Sequence, residues 1–140
     1  MHDLAAPDFI ARRLGDVLRD AWPAASDIKI ASLRRTSTGL SRENWVFEVR
    51  WREQGEARSQ GMILRRDPAA SLLCTDRRWE FRVLRALEST PVPAPPVRWV
   101  DEGDALFGAP AMIMDLMPGA CDWHVLAGSR PLAERVQFGQ

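Results

Sequence analysis

Trp45, Phe47, Val49 and Trp51 stand at every second position, and no other pattern constrains the fold of this chain as tightly. A period of two is the mark of a half-buried strand. The polar run Arg52–Gly61 follows, with glycines at 55 and 61, and reads as a turn. Met62, Ile63 and Leu64 make the returning strand, which Arg65 and Arg66 close. Ahead of the first of these strands lies a loop of small residues, Thr36-Ser37-Thr38-Gly39-Leu40-Ser41. Backbone N–H groups of such a loop can approach an anion, and a fixed cation on the second strand can neutralise it. Taken alone, the stretch is explained more simply by an ordinary turn and an arginine left in solvent.

Composition narrows the function classes. The 140 residues suffice for one domain with a real core, and 46% apolar residues argue against disorder. The formal net charge of zero gives no general attraction to nucleic acid or to an anionic membrane surface. Lys29 is the only lysine, so almost every cation is an arginine, whose planar fork suits bidentate contact with phosphate. Two unpaired-looking cysteines, Cys74 and Cys121, and an N-terminus carrying Asp3 and Asp8 predict a cytoplasmic chain with no signal peptide. No apolar run reaches the roughly 18 residues of a membrane span. With only His2 and His124, a zinc site of the usual spacing is not expected.

Taken in order, Pro7 to Trp22 has the apolar spacing of a packing helix, with Pro7 in its first turn and Pro23 beyond its end. Ile28 to Arg35 is a first strand, followed by the loop and hairpin above. Pro68 stops the third strand, and Ala69 to Cys74 is a short helix or ordered loop. Asp76 to Glu88 is a second helix, capped by Thr75 or Asp76, with Trp79, Val83, Leu84 and Leu87 as its apolar stripe. Glu80 on this helix can pair with Arg77 three residues earlier, or reach across to Arg65. The proline-rich connector Ser89–Pro96 leads to a strand at Val97–Val100, and Ala105 to Leu116 is a fifth strand broken at Gly108 and Pro110. Its run Ala111–Met114 fits burial on both faces. Ser129 would cap a last helix from Arg130 that has barely begun at Gln140.

This order of elements resembles the N-terminal lobe of the aminoglycoside phosphotransferase-like family of small-molecule kinases, which share the protein-kinase-like fold. The resemblance is carried by Gly39-Leu40-Ser41 with Asn44-Trp45, by Ile63-Leu64-Arg65-Arg66 before Pro68, and by Glu80-Phe-Arg-Val-Leu-Arg-Ala-Leu87. Val92-Pro93-Ala94-Pro95 and Met112-Ile-Met-Asp115-Leu116-Met117-Pro118-Gly119 continue it. The arginine pair looks nearest the branch fused to acyl-CoA dehydrogenases. The resemblance implies an α+β fold: a kinase-like N-lobe with a five-stranded antiparallel sheet, one long packed helix and an added N-terminal helix. It divides the chain into an N-terminal helix (1–26), the lobe (27–117), and a hinge with the start of a C-lobe (118–140).

The resemblance also implies roles toward ATP. The backbone of Gly39, Leu40 and Ser41 would cover the phosphates. Arg65 stands where most kinases place a lysine for the α- and β-phosphates, and Glu80 would be its ion-pair partner. Ile63 and Val49 would roof the adenine, and Asp115, Leu116 and Met117 would meet its edge. Thr38 replaces a second glycine, and Arg65 replaces the commoner lysine. No His-Gly-Asp segment with its catalytic and metal-binding aspartates follows Gly119, so no catalytic or metal residue is assigned in this chain. Mg²⁺ is expected only with a C-lobe. The implied function is the nucleotide-binding part of an ATP-dependent kinase acting on a small-molecule hydroxyl acceptor, a fragment inactive without its missing C-lobe or a partner chain. The alternative is a stand-alone binding or regulatory module, whose exposed apolar face would be Phe107, Met112, Met114, Leu116 and Trp123.

Overall fold

The computed structural model describes residues 6–36, 43–67, 76–103 and 106–119. Helix α1 (Pro7–Ala21) precedes strands β1 (Ala25–Arg35), β2 (Glu43–Glu53) and β3 (Glu56–Arg66). Helix α2 (Arg77–Leu87) and strands β4 (Val97–Val100) and β5 (Ala111–Asp115) follow. The strands form one five-stranded sheet in the order β1-β2-β3-β5-β4, and every pairing in it is antiparallel. The loop Gly39–Ser41, the segment Ala69–Cys74, Trp123 and the helix expected from Arg130 lie outside the described residues.

The β2–β3 connection is tighter than its composition suggests. Instead of a turn over Arg52–Gly61, only Gln54 and Gly55 turn, with φ of 52° and 84°. Two central residues with positive φ match the twist of the flanking strands. The pairing therefore runs unbroken from Glu43↔Arg66 to Glu53↔Glu56. The polar residues mislead because this end of the hairpin projects into solvent, where Arg58 pairs with Glu56 at 2.8 Å and Ser59 Oγ donates to Glu48 at 2.6 Å.

Alternation then gives the sheet two unlike faces. On one, Trp45, Phe47, Val49, Met62, Leu64 and Ile113 pack with Ile10, Leu14, Val17 and Leu18 of α1. The helix positions recur at four, three and one residues, which keeps them on a single stripe. At its C-terminal end Trp22 leans on Trp51 with centroids 5.1 Å apart. Helix α1 is thus part of the same core as the strands. On the other face, Met112, Met114, Val97 and Val100 pack with Ile63 and with Phe81 and Leu84 of α2. All five residues of β5 are buried, since it lies between the two clusters.

Two expectations change here. Trp79 and Val83 point outward, 65% and 45% exposed. The inward stripe of α2 is Arg77, Glu80, Phe81 and Leu84, so an ion pair takes positions that a purely apolar pattern assigns to Trp79 and Val83. Phe107, Met112 and Met114 are buried rather than open: Phe107 sits edge-on to Trp99, and both methionines lie inside the second cluster. They form no bare docking face. Among the described residues no helix is long and apolar enough to cross a membrane.

Candidate functional site

The second face is where polar groups collect. Helix α2 covers β4 and β5, and the strip along β3 beside it carries Gly61, Ile63 and Arg65 at alternate positions. Four residues of strand span about 13 Å. Val46 stands opposite Ile63, and Asn44 stands opposite Arg65. Leu116 lies over Gly61, where an added Cβ would come within 3.3 Å of Leu116 Cδ2. Glycine lets the chain after β5 fold down onto this strip. Its two ends differ chemically: apolar Leu116, Ile63 and Val46 toward one, a guanidinium toward the other.

Arg65 is held by α2. Its Nη1 donates to Glu80 Oε1 at 2.5 Å, joining strand to helix as the cross-contact reading of Glu80 required. The i−3 reading holds as well, because Arg77 Nη1 donates to Glu80 Oε2. Arg77 is 1% exposed, and its Nε donates to Asp67 Oδ2 at 2.9 Å while Nη2 donates to Oδ1. The result is a row of four alternating charges, Asp67, Arg77, Glu80 and Arg65, with no net charge to bury. One edge of Arg65 is unpaired. Its Nε is buried without a hydrogen-bond partner, and Nη2 donates to no described residue. Asn44 Oδ1, on the opposing strand position, is likewise buried without a partner. Each buried polar atom left without a partner lowers stability.

At the other end, β5 leaves two backbone groups available. The Asp115 N–H donates to Pro96 C=O at 2.9 Å, and the Leu116 N–H donates to Gly61 C=O at 2.9 Å. In an antiparallel pair the return bond to the Asp115 carbonyl would come from residue 96, but proline has no N–H. The Asp115 C=O therefore lacks its ladder donor, and two residues on, the Met117 N–H bonds no described residue. The Asp115 carboxylate is a lock between strands: Arg98 Nε and Nη2 donate to it at 2.8 and 2.5 Å. That fork raises the pKa of Arg98.

Of the residues singled out from sequence, the structure thus gathers Ile63, Arg65, Glu80 and Leu116 on one face, with Asp115 and Met117 at its edge. Val49 is not with them. It is fully buried in the α1 cluster, on the opposite side of β2 from Ile63. Register fixes this: Ile63 pairs with Val46, an odd number of residues from Val49. Val46 and Asn44 were readable from the same alternation that placed Trp45 and Phe47 inward. Asp67 carried no signal before the structure brought it to Arg77.

No protein-family profile matches the chain. A solved structure of a candidate aminoglycoside phosphotransferase from Ralstonia eutropha is similar with a TM-score of 0.58 at 23% identity. The similarity covers 89% of this chain and 32% of that one, so the chain spans about a third of that protein's length. At that identity the likeness establishes fold. The chain has an α+β fold of the kinase-like N-lobe kind, a five-stranded antiparallel sheet with two helices.

Proposed function

We propose that the chain is the nucleotide-binding lobe of an ATP-dependent small-molecule phosphotransferase. The observation that carries this reading is the unpaired edge of Arg65: a guanidinium clamped at Nη1, with a buried Nε that has no hydrogen-bond partner and an Nη2 that donates to no described residue. Nε and Nη2 form the fork that binds two oxygens of one phosphate. The apolar strip of Ile63 and Val46 suits the flat face of adenine. The Asp115 carbonyl and Met117 N–H offer an acceptor and a donor to its edge. Gly39, Leu40 and Ser41 would close over the phosphates from the β1–β2 loop. Chemistry itself needs more than this. A general base for the acceptor hydroxyl belongs, in this reading, to a second lobe in the same gene or on a partner chain. In the same reading, the Mg²⁺ ligands belong to that lobe too.

Calorimetric titration of ATP into the folded 140-residue chain tests the reading. Saturable binding is expected, lost in Arg65→Ala and kept in Arg50→Ala, whose guanidinium is already forked onto Glu48 at 2.9 and 3.0 Å. No binding by the folded parent, or equal binding in both variants, would overturn it. No ATP turnover is expected from this chain by itself.

A further inference from the structure

The arginines of this molecule meet carboxylates in two ways, side-on through two nitrogens or through one nitrogen, as Arg19 meets Asp16. Arg50, Arg77, Arg78 and Arg98 each reach their carboxylate through Nε and Nη2 together, the side-on fork. Arg65 reaches Glu80 through Nη1 alone and keeps its own fork edge unpaired. The cause lies behind Glu80. Its second oxygen is occupied by Arg77, which cannot yield: it is 1% exposed, and its fork is spent on Asp67. Asp67 is fixed in turn, since its N–H donates to Pro110 C=O at 3.0 Å, just before β5.

We infer that Arg77 and Asp67 are positioning residues that hold Glu80 to a single contact with Arg65, and so keep the Nε/Nη2 edge of Arg65 unpaired and in reserve for an oxyanion. Without Arg77, rotation of the Glu80 carboxylate would offer both oxygens to Arg65. A two-oxygen pair would close the fork, and Arg65 would be neutralised by its own partner before any ligand arrived. The single contact anchors the guanidinium and the second arginine prevents the anchor from becoming a competitor. The same bonds fasten the first turn of α2 to the end of β3 with no ligand present. The helix is therefore set in its paired position by the chain itself. The oxyanion's being a nucleotide phosphate rests on the reading proposed above; the clamp does not.

Two substitutions test this in the 140-residue chain. Asp67→Asn keeps the shape but removes the charge that holds Arg77, and Arg77→Lys keeps the charge but cannot fork. Arginine side-chain nitrogens are labelled with ¹⁵N, and the Arg65 Nε–H signal is assigned by its loss in Arg65→Lys. In both variants that signal is expected to move to the position of a carboxylate-bonded Nε–H, like that of Arg98. Affinity for inorganic tripolyphosphate is expected to fall about tenfold, the loss of one charge-assisted contact. Affinity for adenosine, which has no phosphate, is expected to stay unchanged. A merely structural role would lower both affinities together, and that outcome overturns the inference. So does an Arg65 signal that stays in place in both variants. If the folded parent binds neither ATP nor tripolyphosphate, the nucleotide reading fails, and the Arg65 signal still decides the clamp.

Discussion

The two faces of the sheet are built from the same strands and are finished differently. Toward α1, every inward residue of β2 from Trp45 to Val49 is apolar and sealed. Toward α2, β3 presents glycine, isoleucine and arginine in turn, and two buried polar atoms on this side have no partner. In the proposed reading, the difference separates residues that build the lobe from residues that meet the ligand. Substitutions of apolar residues on the α1 side should change stability with little effect on ligand, and those at strand positions on the α2 side should do the reverse.

The largest effect is expected where the sealed face is deepest. Phe47, 1% exposed within the α1 cluster, should lose about 3–5 kcal/mol of stability on change to alanine, from lost transfer energy plus the cavity left behind. Urea unfolding measures it. A loss below about 1 kcal/mol would mean that α1 does not close this face.

Next come the charges, where the contrast sharpens within one network. Glu80→Ala removes the carboxylate shared by Arg65 and Arg77 and leaves the buried Arg77 with Asp67 alone. A loss of about 2–3 kcal/mol is expected, below the usual range for breaking a buried pair because Glu80 is 20% exposed. Arg65→Ala should cost about 1 kcal/mol or less, since its partner keeps Arg77 and its own unpaired edge is relieved. The double variant, measured against the two single ones, gives the coupling. Additive losses would mean that strand and helix are not joined through this pair.

The valine pair tests the two faces directly. Val49→Ala, in the sealed cluster, should cost about 2 kcal/mol and leave ATP affinity intact. Val46→Ala, opposite Ile63 on the open side, should cost under about 1 kcal/mol and weaken ATP and adenosine alike. Reversed outcomes would exchange the roles of the two faces.

Most of this architecture is legible in the sequence because it rests on strong local rules. Alternation marks β2, Pro7 and Pro23 bracket α1, and Asp76 caps α2 through the Arg78 N–H at 2.9 Å. The failures have a common origin: a side chain's partner lies on another element. Polarity along Arg52–Gly61 resembles a turn until the register shows a paired strand end in solvent. Trp79 and Val83 look like a core stripe until Arg77 and Glu80 take the inward positions. The family resemblance sets Val49 beside Ile63, whereas register puts them on opposite faces. The cross-contact of Glu80 with Arg65 could be anticipated from charge and element order; the Arg77–Asp67 clamp behind it required coordinates.

The smallest effect belongs to the solvent end of the open face and is a matter of pH. The Glu48 carboxylate accepts the Arg50 fork and the Ser59 hydroxyl, which together lower its pKa from 4.5 to about 2. A carboxylate whose folded pKa is depressed adds stability above its unfolded value and loses that contribution as pH falls through the folded one. Glu48→Gln should therefore be slightly less stable than the parent at neutral pH, and the gap should close as pH falls from 4.5 toward 2. Salt should narrow the gap at neutral pH as well, because the pair is in solvent. A gap that stays constant across that range would assign the contribution of Glu48 to packing along β2 instead of to its charge. The open face would then owe its polarity, at this end, to solubility alone, and its ligand-directed features would be confined to the stretch from Leu116 to Arg65.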